Sequence, residues 1–363
     1  MQVFHLSHID LDGYGCQFVS RCFFSEIKFY NANYGREVGA RLHEIITDTK
    51  KAITQGERDI LILITDLNLT LSEAQFLQEQ SDALRLSDQK IQVLLLDHHA
   101  TGLEASKAYT WYFLDTERSA SKITWETLKA QYPLKEGSNK EKLELLVAMI
   151  NSIDIWKEGE FGFDLGKVCM RMIASTHELN RFMFDQEHRV YKFILLEKVL
   201  SYLDQDNGAV LFDNDLFKLK KQALGGDPDK EIMDDIASNA QVALLSRKKE
   251  ECKVSCGDKV GFMSYAMGGI SVLANLFLTQ NPEFDFYIDV GFKGSVSLRS
   301  NGKCDVSQLS QQYFNGGGHK NASGGKIEDF KESFSYYDIK EQLERAFSKE
   351  KESKGFFTNR FNF

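Results

Sequence analysis

The chain has 363 residues, 42% of them apolar, and a formal net charge of −9. This length exceeds what one hydrophobic core usually serves, so two domains are expected, and the acidic balance excludes a protein that coats nucleic acid through a broad basic surface. Residues 1–7 lack the basic start of a signal peptide, no run approaches the roughly 20 apolar residues needed to cross a bilayer, and the six cysteines are scattered without a Cys-x-x-Cys pair, so a soluble cytoplasmic protein with reduced thiols and no membrane partner is expected.

Three short apolar runs, residues 3–6, 60–64 and 91–96, predict strands, and residues 36–53 and 71–86 between them show helical spacing. Strands alternating with helices predict an α/β fold with a parallel sheet and flanking helices. Each predicted strand ends in residues able to bind a metal: His8, Asp10 and Asp12 follow the first, Asp66 the second, and Asp97, His98 and His99 the third. In an open parallel sheet, ligands bind outside the carboxyl ends of the strands, so the three clusters are expected to meet in one crevice. Helices are predicted at 120–128 and 143–153, the second running into Asp154, and 161–203 reads as helical without a motif.

Each of these signals also has a structural reading. Asp10-Leu11-Asp12-Gly13 suits a turn, Asp66 a cap and Asp154 a helix end. Ser119 and Ser121 read as N-caps, with a phosphate at that helix N-terminus as the alternative, and His5 reads as structural. Only the coincidence of all the elements argues for a dinuclear site. Carboxylates hold and bridge hard divalent ions, and imidazoles shift the preference toward Mn2+, with Mg2+ as the alternative. Two ions about 3.5–4 Å apart activate a water near neutral pH and brace an attacked phosphoryl group.

From residue 225, Gly-Gly-Asp-Pro opens a polar helix that reads as a connector. The domains are accordingly expected at 1–205 for the metal-binding domain, 206–250 for a helical linker, 251–347 for a smaller α/β substrate-binding domain and 348–363 for a tail. In the smaller domain, strands are predicted at 260–265, 284–290 and 294–299, with a helix at 270–278. The stretch from Asn315 to Gly325 holds five glycines in eleven residues, and between Gly291 and Lys326 five Lys or Arg face one acid, Asp305. Glycines allow backbone amides to approach an anion closely, so a phosphate or sugar is the expected ligand, a flexible spacer being the alternative.

The ordered set Ser7-His8-Ile9-Asp10-Leu11-Asp12-Gly13, Thr65-Asp66, Asp97-His98-His99 and Asp154 resembles the four motifs of the DHH phosphoesterase superfamily. Gly316-Gly317-Gly318-His319, with Val296-Ser297-Leu298-Arg299-Ser300 upstream, resembles the DHHA1 domain that accompanies many of its members. The resemblance implies that His8, Asp10, Asp12, Asp66, His98 and Asp154 ligate two divalent ions, with Asp66 bridging them. It implies that Asp97 and His99 serve catalysis, Asp97 orienting the site and His99 facing the phosphate, and that Arg299, Gly316, Gly317, Gly318, His319 and Lys320 bind substrate. Several members place the first histidine four residues before the first aspartate, where this chain has Leu6; His8 follows the Asp-Leu-Asp-Gly subgroup.

The pairing of both domains disfavours the pyrophosphatase branch. It points to a Mn2+-dependent, nanoRNase B-like oligoribonuclease that converts short oligoribonucleotides or dinucleotides to mononucleotides. The alternatives are a cyclic-di-AMP or linear dinucleotide phosphodiesterase and a 3′-phosphoadenosine 5′-phosphate phosphatase. A RecJ-like exonuclease, a catalytically inactive nucleotide sensor and an RNA-binding adaptor rank below them. No obligate protein partner is implied, and a homodimer is left open.

Overall fold

A run such as Ile-Leu-Ile-Leu-Ile at 60–64 is apolar on both faces of the pleat, and a strand of this kind needs helices on both sides of its sheet. The computed structural model, which describes residues 1–85 and 89–348, is built this way in its first half. In chain order the elements there are β1 (Gln2–Ser7), α1 (Leu11–Ser20), β2 (Ile27–Asn31), α2 (Arg36–Thr54), β3 (Asp59–Thr65), α3 (Leu71–Leu84), β4 (Lys90–Asp97), α4 (Leu103–Ala108), β5 (Tyr112–Leu114), α5 (Ala120–Gln131), α6 (Lys140–Asp154), α7 (Phe163–Ser175), α8 (Asp185–Val199) and α9 (Gly208–Ala223). The five strands form one sheet in the order β2-β1-β3-β4-β5, and every pair is parallel. The order reverses between β1 and β3, so the chain leaves these two strands toward opposite faces and opens a crevice at their carboxyl ends.

Period-two alternation decides what each face buries. Phe4, Leu6, Ile60, Ile62, Ile64, Val93 and Leu95 share a core with Val38, Leu42 and Ile45 of α2 and Leu77 of α3. The opposite register of β3, Leu61 and Leu63, is equally buried, and α5 packs on β3 and β4 from that side. Burial is worth ~1.5–3 kcal/mol for each such side chain, so β3 is held firmly enough to carry a strained residue at its end.

The expected strands and helices recur within a few residues, but β2 and β5 were not foreseen. β2 is an edge strand whose first three residues are not buried, so it carries no apolar run, and β5 has three residues. The helix expected over 71–86 ends at Leu84; Leu86 and the tail from 349 lie outside the described residues.

Two compact units divide the chain, Met1–His177 with Gln186–Asp229, and Glu178–Asp185 with the chain from Lys230 onward. Residues 206–229, read from composition as part of a connector, lie in the first unit, where α9 packs on α7. The second unit contains α10 (Met233–Arg247), β6 (Lys253–Cys256), β7 (Lys259–Tyr265), α11 (Ser271–Gln280), β8 (Phe286–Val290), β9 (Ser295–Arg299), α12 (Val306–Phe314), β10 (Gly317–His319), β11 (Ala322–Lys326) and α13 (Tyr336–Ser348). Its six-stranded sheet runs β10-β11-β9-β8-β7-β6 and is antiparallel except for the β7–β8 pair. Among the described residues, no helix is long and apolar enough to cross a membrane.

Candidate metal centre

The crevice between β1 and β3 collects the residues that end the strands. Asp10 caps α1, its Oδ1 accepting from Gly13 N at 3.0 Å. A Cβ at Gly13 would lie 2.4 Å from the His8 carbonyl oxygen, so only glycine lets α1 start this close to the strand end. Asp12, two residues on, is buried and accepts the first two amides of α5, Ala120 N at 2.6 Å and Ser121 N at 2.9 Å. Ser119 is the N-cap of α5 as expected, but the anion at that N-terminus is the protein's own Asp12, which leaves the phosphate alternative without support.

Asp66 follows β3 with φ at +56°, a conformation that costs a non-glycine residue about 1–3 kcal/mol. Its amide donates to Leu96 O at 3.1 Å, and its side chain is 1% exposed. The twisted backbone sets the carboxylate between two histidines, with Oδ2 3.8 Å from His8 Nδ1 and Oδ1 3.2 Å from His98 Nε2. His98 Nε2 also lies 3.6 Å from Asp154 Oδ2, at the end of α6, and 3.9 Å from Asp12 Oδ2. His8 Nδ1 is 2.9 Å from Asp10 Oδ2.

These atoms form overlapping groups whose potential ligand atoms lie within 4.8 Å of one another: His8, Asp10 and Asp66; Asp12, His98 and Asp154; and Asp66, His98 and His99. The structure therefore brings together His8, Asp10, Asp12, Asp66, His98 and Asp154, with Asp66 common to two of the groups. Leu6, which stands where some relatives carry their histidine, is fully buried in the core.

The electrostatics of this cluster call for a cation. Asp66 Oδ2 and Asp154 Oδ2 are buried and make no directed hydrogen bond, and leaving such atoms unmatched is costly. Burial, and then the neighbouring Asp10 and Asp12 charges, push Asp66 well above the usual carboxylate range. Burial followed by Asp12 and Asp10 lifts Asp154 to about 9. Burial also raises Asp12, against the opposing effect of His98. For Asp10 burial acts upward, but the adjacent His8 outweighs it and holds the group low. Hard oxygen donors and imidazole nitrogens crowded in this way suit divalent ions.

Asp97 and His99 are tied to each other at the edge of the cluster. Asp97 is fully buried; its Oδ1 accepts from His99 Nδ1 at 2.7 Å and its Oδ2 accepts from Tyr112 Oη at 2.7 Å. That bond orients the imidazole and leaves Nε2 outward, 2.8 Å from Tyr34 Oη. Burial lowers the His99 pKa, but the Asp97 hydrogen bond and charge more than reverse this, and the net shift is upward.

Several participants carried no signal in sequence. Tyr34 packs its ring 4.4 Å from His8. Gly102 makes room for Tyr112, whose hydroxyl a Cβ there would meet at 1.8 Å. Asn31, at the end of the unforeseen β2, donates to His8 O at 3.0 Å and accepts from Arg189 Nε on α8 at 2.9 Å. The motif-free stretch 161–203 thus reaches the His8 loop through Arg189. The one available clue was Asn31-Ala32-Asn33-Tyr34-Gly35, a turn-like cluster after a short strand. His5 is structural as read: its ring bonds Ser20 Oγ and Thr65 Oγ1, each at 2.8 Å, and burial followed by Arg189 lowers its pKa to about 3.

In the second unit the glycine run folds as the β10–β11 hairpin. A Cβ at Gly316 would lie 1.9 Å from Gly324 O, one at Gly325 2.6 Å from Phe314 Cβ, and one at Gly318, where φ is +149°, 2.6 Å from Ala322 O. These three glycines are required by packing, whereas Gly317 faces open space. His319 pairs with Ala322 and Ala322 with Arg299, so the three share one face in a row across adjacent strands. Arg299 is steadied by Leu298 O at 2.8 Å and Ser271 Oγ at 3.0 Å, and Lys320 is exposed at the hairpin tip.

Comparison with known proteins agrees with this architecture. No family model matches the chain. It is 61% identical over 349 residues to a 3′,5′-cyclic-nucleotide phosphodiesterase of Helicobacter pylori, covering 96% of this chain and 99% of that protein. It is 26% identical over 337 residues to the oligoribonuclease NrnB of Bacillus subtilis, covering 90% of this chain and 73% of that protein. A crystal structure of an uncharacterized Helicobacter pylori protein, 61% identical, superposes with a TM-score of 0.92 over 96% of this chain and 99% of that one. Fold, site and relatives together define a phosphoesterase enzyme. The chain belongs to the DHH phosphoesterase family, on its nanoRNase-like side.

Proposed function

We propose that the protein hydrolyses the phosphodiester bond of small nucleotide substrates, short oligoribonucleotides or dinucleotides, with two divalent ions, Mn2+ preferred. The observation that carries this reading is the position of Asp66, whose Oδ2 lies 3.8 Å from His8 Nδ1 and whose Oδ1 lies 3.2 Å from His98 Nε2, so that one carboxylate adjoins both the His8–Asp10 side and the His98–Asp12–Asp154 side of the cluster, while Asp66 Oδ2 and Asp154 Oδ2 stay unmatched. One group, His8, Asp10 and Asp66, would hold the first ion; the other, Asp12, His98 and Asp154 with Asp66, would hold the second. Bound there, the ions would lower the pKa of water and offset charge on the phosphoryl oxygens.

The chain's own residues do the remaining work. The α5 amides fix Asp12, the left-handed turn fixes Asp66, and Asn31 holds the His8 loop. Asp97 keeps the His99 proton on Nδ1 in the neutral ring, and by raising its pKa favours the imidazolium, which donates from Nε2 to a phosphoryl or leaving oxygen. Arg299, His319 and Lys320 would bind substrate phosphate, with the Gly316–Gly318 backbone beside them.

A second reading has specific support. The 61% identical relative is a cyclic-nucleotide phosphodiesterase, so a 3′,5′-cyclic mononucleotide, which is itself a small phosphodiester, is a competing substrate. A panel of 3′,5′-cyclic mononucleotides, cyclic and linear dinucleotides, RNA of two to ten residues, long single-stranded DNA and 3′-phosphoadenosine 5′-phosphate, assayed with Mn2+ and with Mg2+, separates them. Preference for short RNA or dinucleotides upholds the first reading and preference for cyclic mononucleotides the second. Preference for long DNA defeats both.

A further inference from the structure

Trp156 lies two residues beyond Asp154, in the turn that ends α6. Lys157 N donates to Ser152 O at 2.7 Å and Trp156 N to Ile153 O at 3.3 Å. This pair of bonds is a Schellman C-cap, and it puts Trp156 at the position just past the helix that glycine usually fills because the backbone there is left-handed. Trp156 has φ at +54°, a genuine outlier for a bulky side chain.

Burial does not account for the tryptophan, since its side chain is 60% exposed. It is nevertheless held in place. Its ring meets Phe163 edge-on at 5.3 Å, and Nε1 donates to Glu158 Oε1 at 3.1 Å. The flanking Lys157, Glu158 and Glu160 make the loop polar, unlike a broad apolar docking face. A planar ring is thus fixed and exposed, in a conformation glycine would adopt more cheaply, two residues after Asp154, whose carboxylate lies 3.6 Å from His98.

We infer that Trp156 is a stacking platform for a nucleobase of the substrate, next to the phosphate held at the Asp154 end of the cluster. This rests on the phosphodiesterase reading and adds the part of the substrate that the metal ligands do not touch. A base is tethered to its phosphate by one ribose, and Trp156 is two residues along the chain from Asp154. Aromatic stacking accepts any base through its π face, so the platform would favour nucleotides over other phosphodiesters without selecting sequence.

The test compares Trp156→Gly and Trp156→Phe in the full-length protein. Glycine suits the left-handed position, so the melting temperature of Trp156→Gly should hold or rise. Its KM for a linear dinucleotide should rise about ten- to a hundredfold with kcat little changed, while Trp156→Phe retains most of the affinity. On a dinucleotide analogue lacking its bases, Trp156→Gly and parent should agree within about twofold. An equal loss on both substrates would make Trp156 a mere support for Asp154, and an unchanged KM on the normal dinucleotide would also overturn the platform.

Tryptophan fluorescence decides independently of turnover. Adenosine 5′-monophosphate should quench it and ribose 5-phosphate should not, and the quench should vanish in Trp156→Phe. No quench, or an equal quench in the variant, overturns the inference. If the parent hydrolyses no nucleotide yet shows the quench, the phosphodiesterase reading fails while the base platform stands.

Discussion

At the carboxyl edge of the first unit's sheet, Asp66 and Asp154 keep buried oxygens with no hydrogen-bond partner, whereas in the glycine hairpin of the second unit the close approaches are taken up by the protein itself. Both regions are dense in residues that suggest a ligand. In the first, four carboxylates crowd at close range, and burial followed by their repulsion raises Asp66 and Asp154. In the second, Gly316, Gly318 and Gly325 let a hairpin lie against α12 and its own neighbour, and the row of Arg299 and His319 carries what chemistry there is. A motif therefore signals a ligand when its polar atoms are left unmatched, and packing when its missing side chains are what fit.

Loss of Asp66 is expected to cost the most. Asp66→Asn tolerates the left-handed backbone yet removes the charge shared by both ligand groups; with His98→Ala as companion, turnover should fall at least about a thousandfold. Activity within tenfold of the parent would show that the cluster is not the reacting centre. In the presence of a chelator, Asp66→Asn should melt at a higher temperature than the parent, because one repelling carboxylate is gone.

Next in size are changes in the hairpin. Arg299→Ala should raise KM about ten- to a hundredfold, as expected for a lost charge-assisted phosphate contact. Gly316→Ala should destabilise the protein by about 1–3 kcal/mol through overpacking, read as a lower urea midpoint. Gly317→Ala meets no atom and should fold as the parent does. Kinetics of Gly317→Ala then separate the two uses of glycine: a raised KM means its amide serves the substrate, and an unchanged one leaves the run to packing alone.

A smaller effect sharpens the electrostatic side. In the metal-free protein Asp154, at about 9 against an ordinary 3.8, keeps a proton that the unfolded chain has released, so stability falls as pH rises toward 9. Raised Asp66 acts in the same sense. His5 opposes it only between about 3 and 6.5, where the unfolded chain binds the proton that the buried ring refuses. Melting temperature in chelator should therefore decline between pH 6.5 and 9, and saturating Mn2+ should abolish the decline; the same slope with and without metal would count against ligation by these carboxylates.

The smallest expected change concerns Tyr34. Tyr34→Phe removes one hydrogen bond to His99, worth about 0.5–1.5 kcal/mol, and should lower kcat/KM by roughly two- to tenfold. An unaltered kcat/KM across the pH range would separate Tyr34 from the function of His99.

The strand-end placement of His8, Asp10, Asp12, Asp66 and His98 was legible in the amino-acid order, because apolar runs mark buried strands and the residues at their carboxyl ends are their immediate neighbours in the chain; Asp154, at the end of a helix, entered only through the resemblance. The second unit's strands near 260, 286 and 295 were legible for the same reason. β2 was not, since an edge strand needs no continuous apolar run, and with it went Asn31 and Tyr34. Nor could the glycines be divided, because whether a Cβ fits depends on atoms brought from elsewhere in the chain.

Residue order alone thus dictates a parallel α/β unit with metal-capable residues at its strand ends, and the family resemblance implies their roles. The tertiary structure alone decided which lone pairs meet. Asp12 and the α5 amides are more than a hundred residues apart in the chain, as are Asn31 and Arg189, and sheet order and helix packing, not local spacing, bring each pair within hydrogen-bond distance.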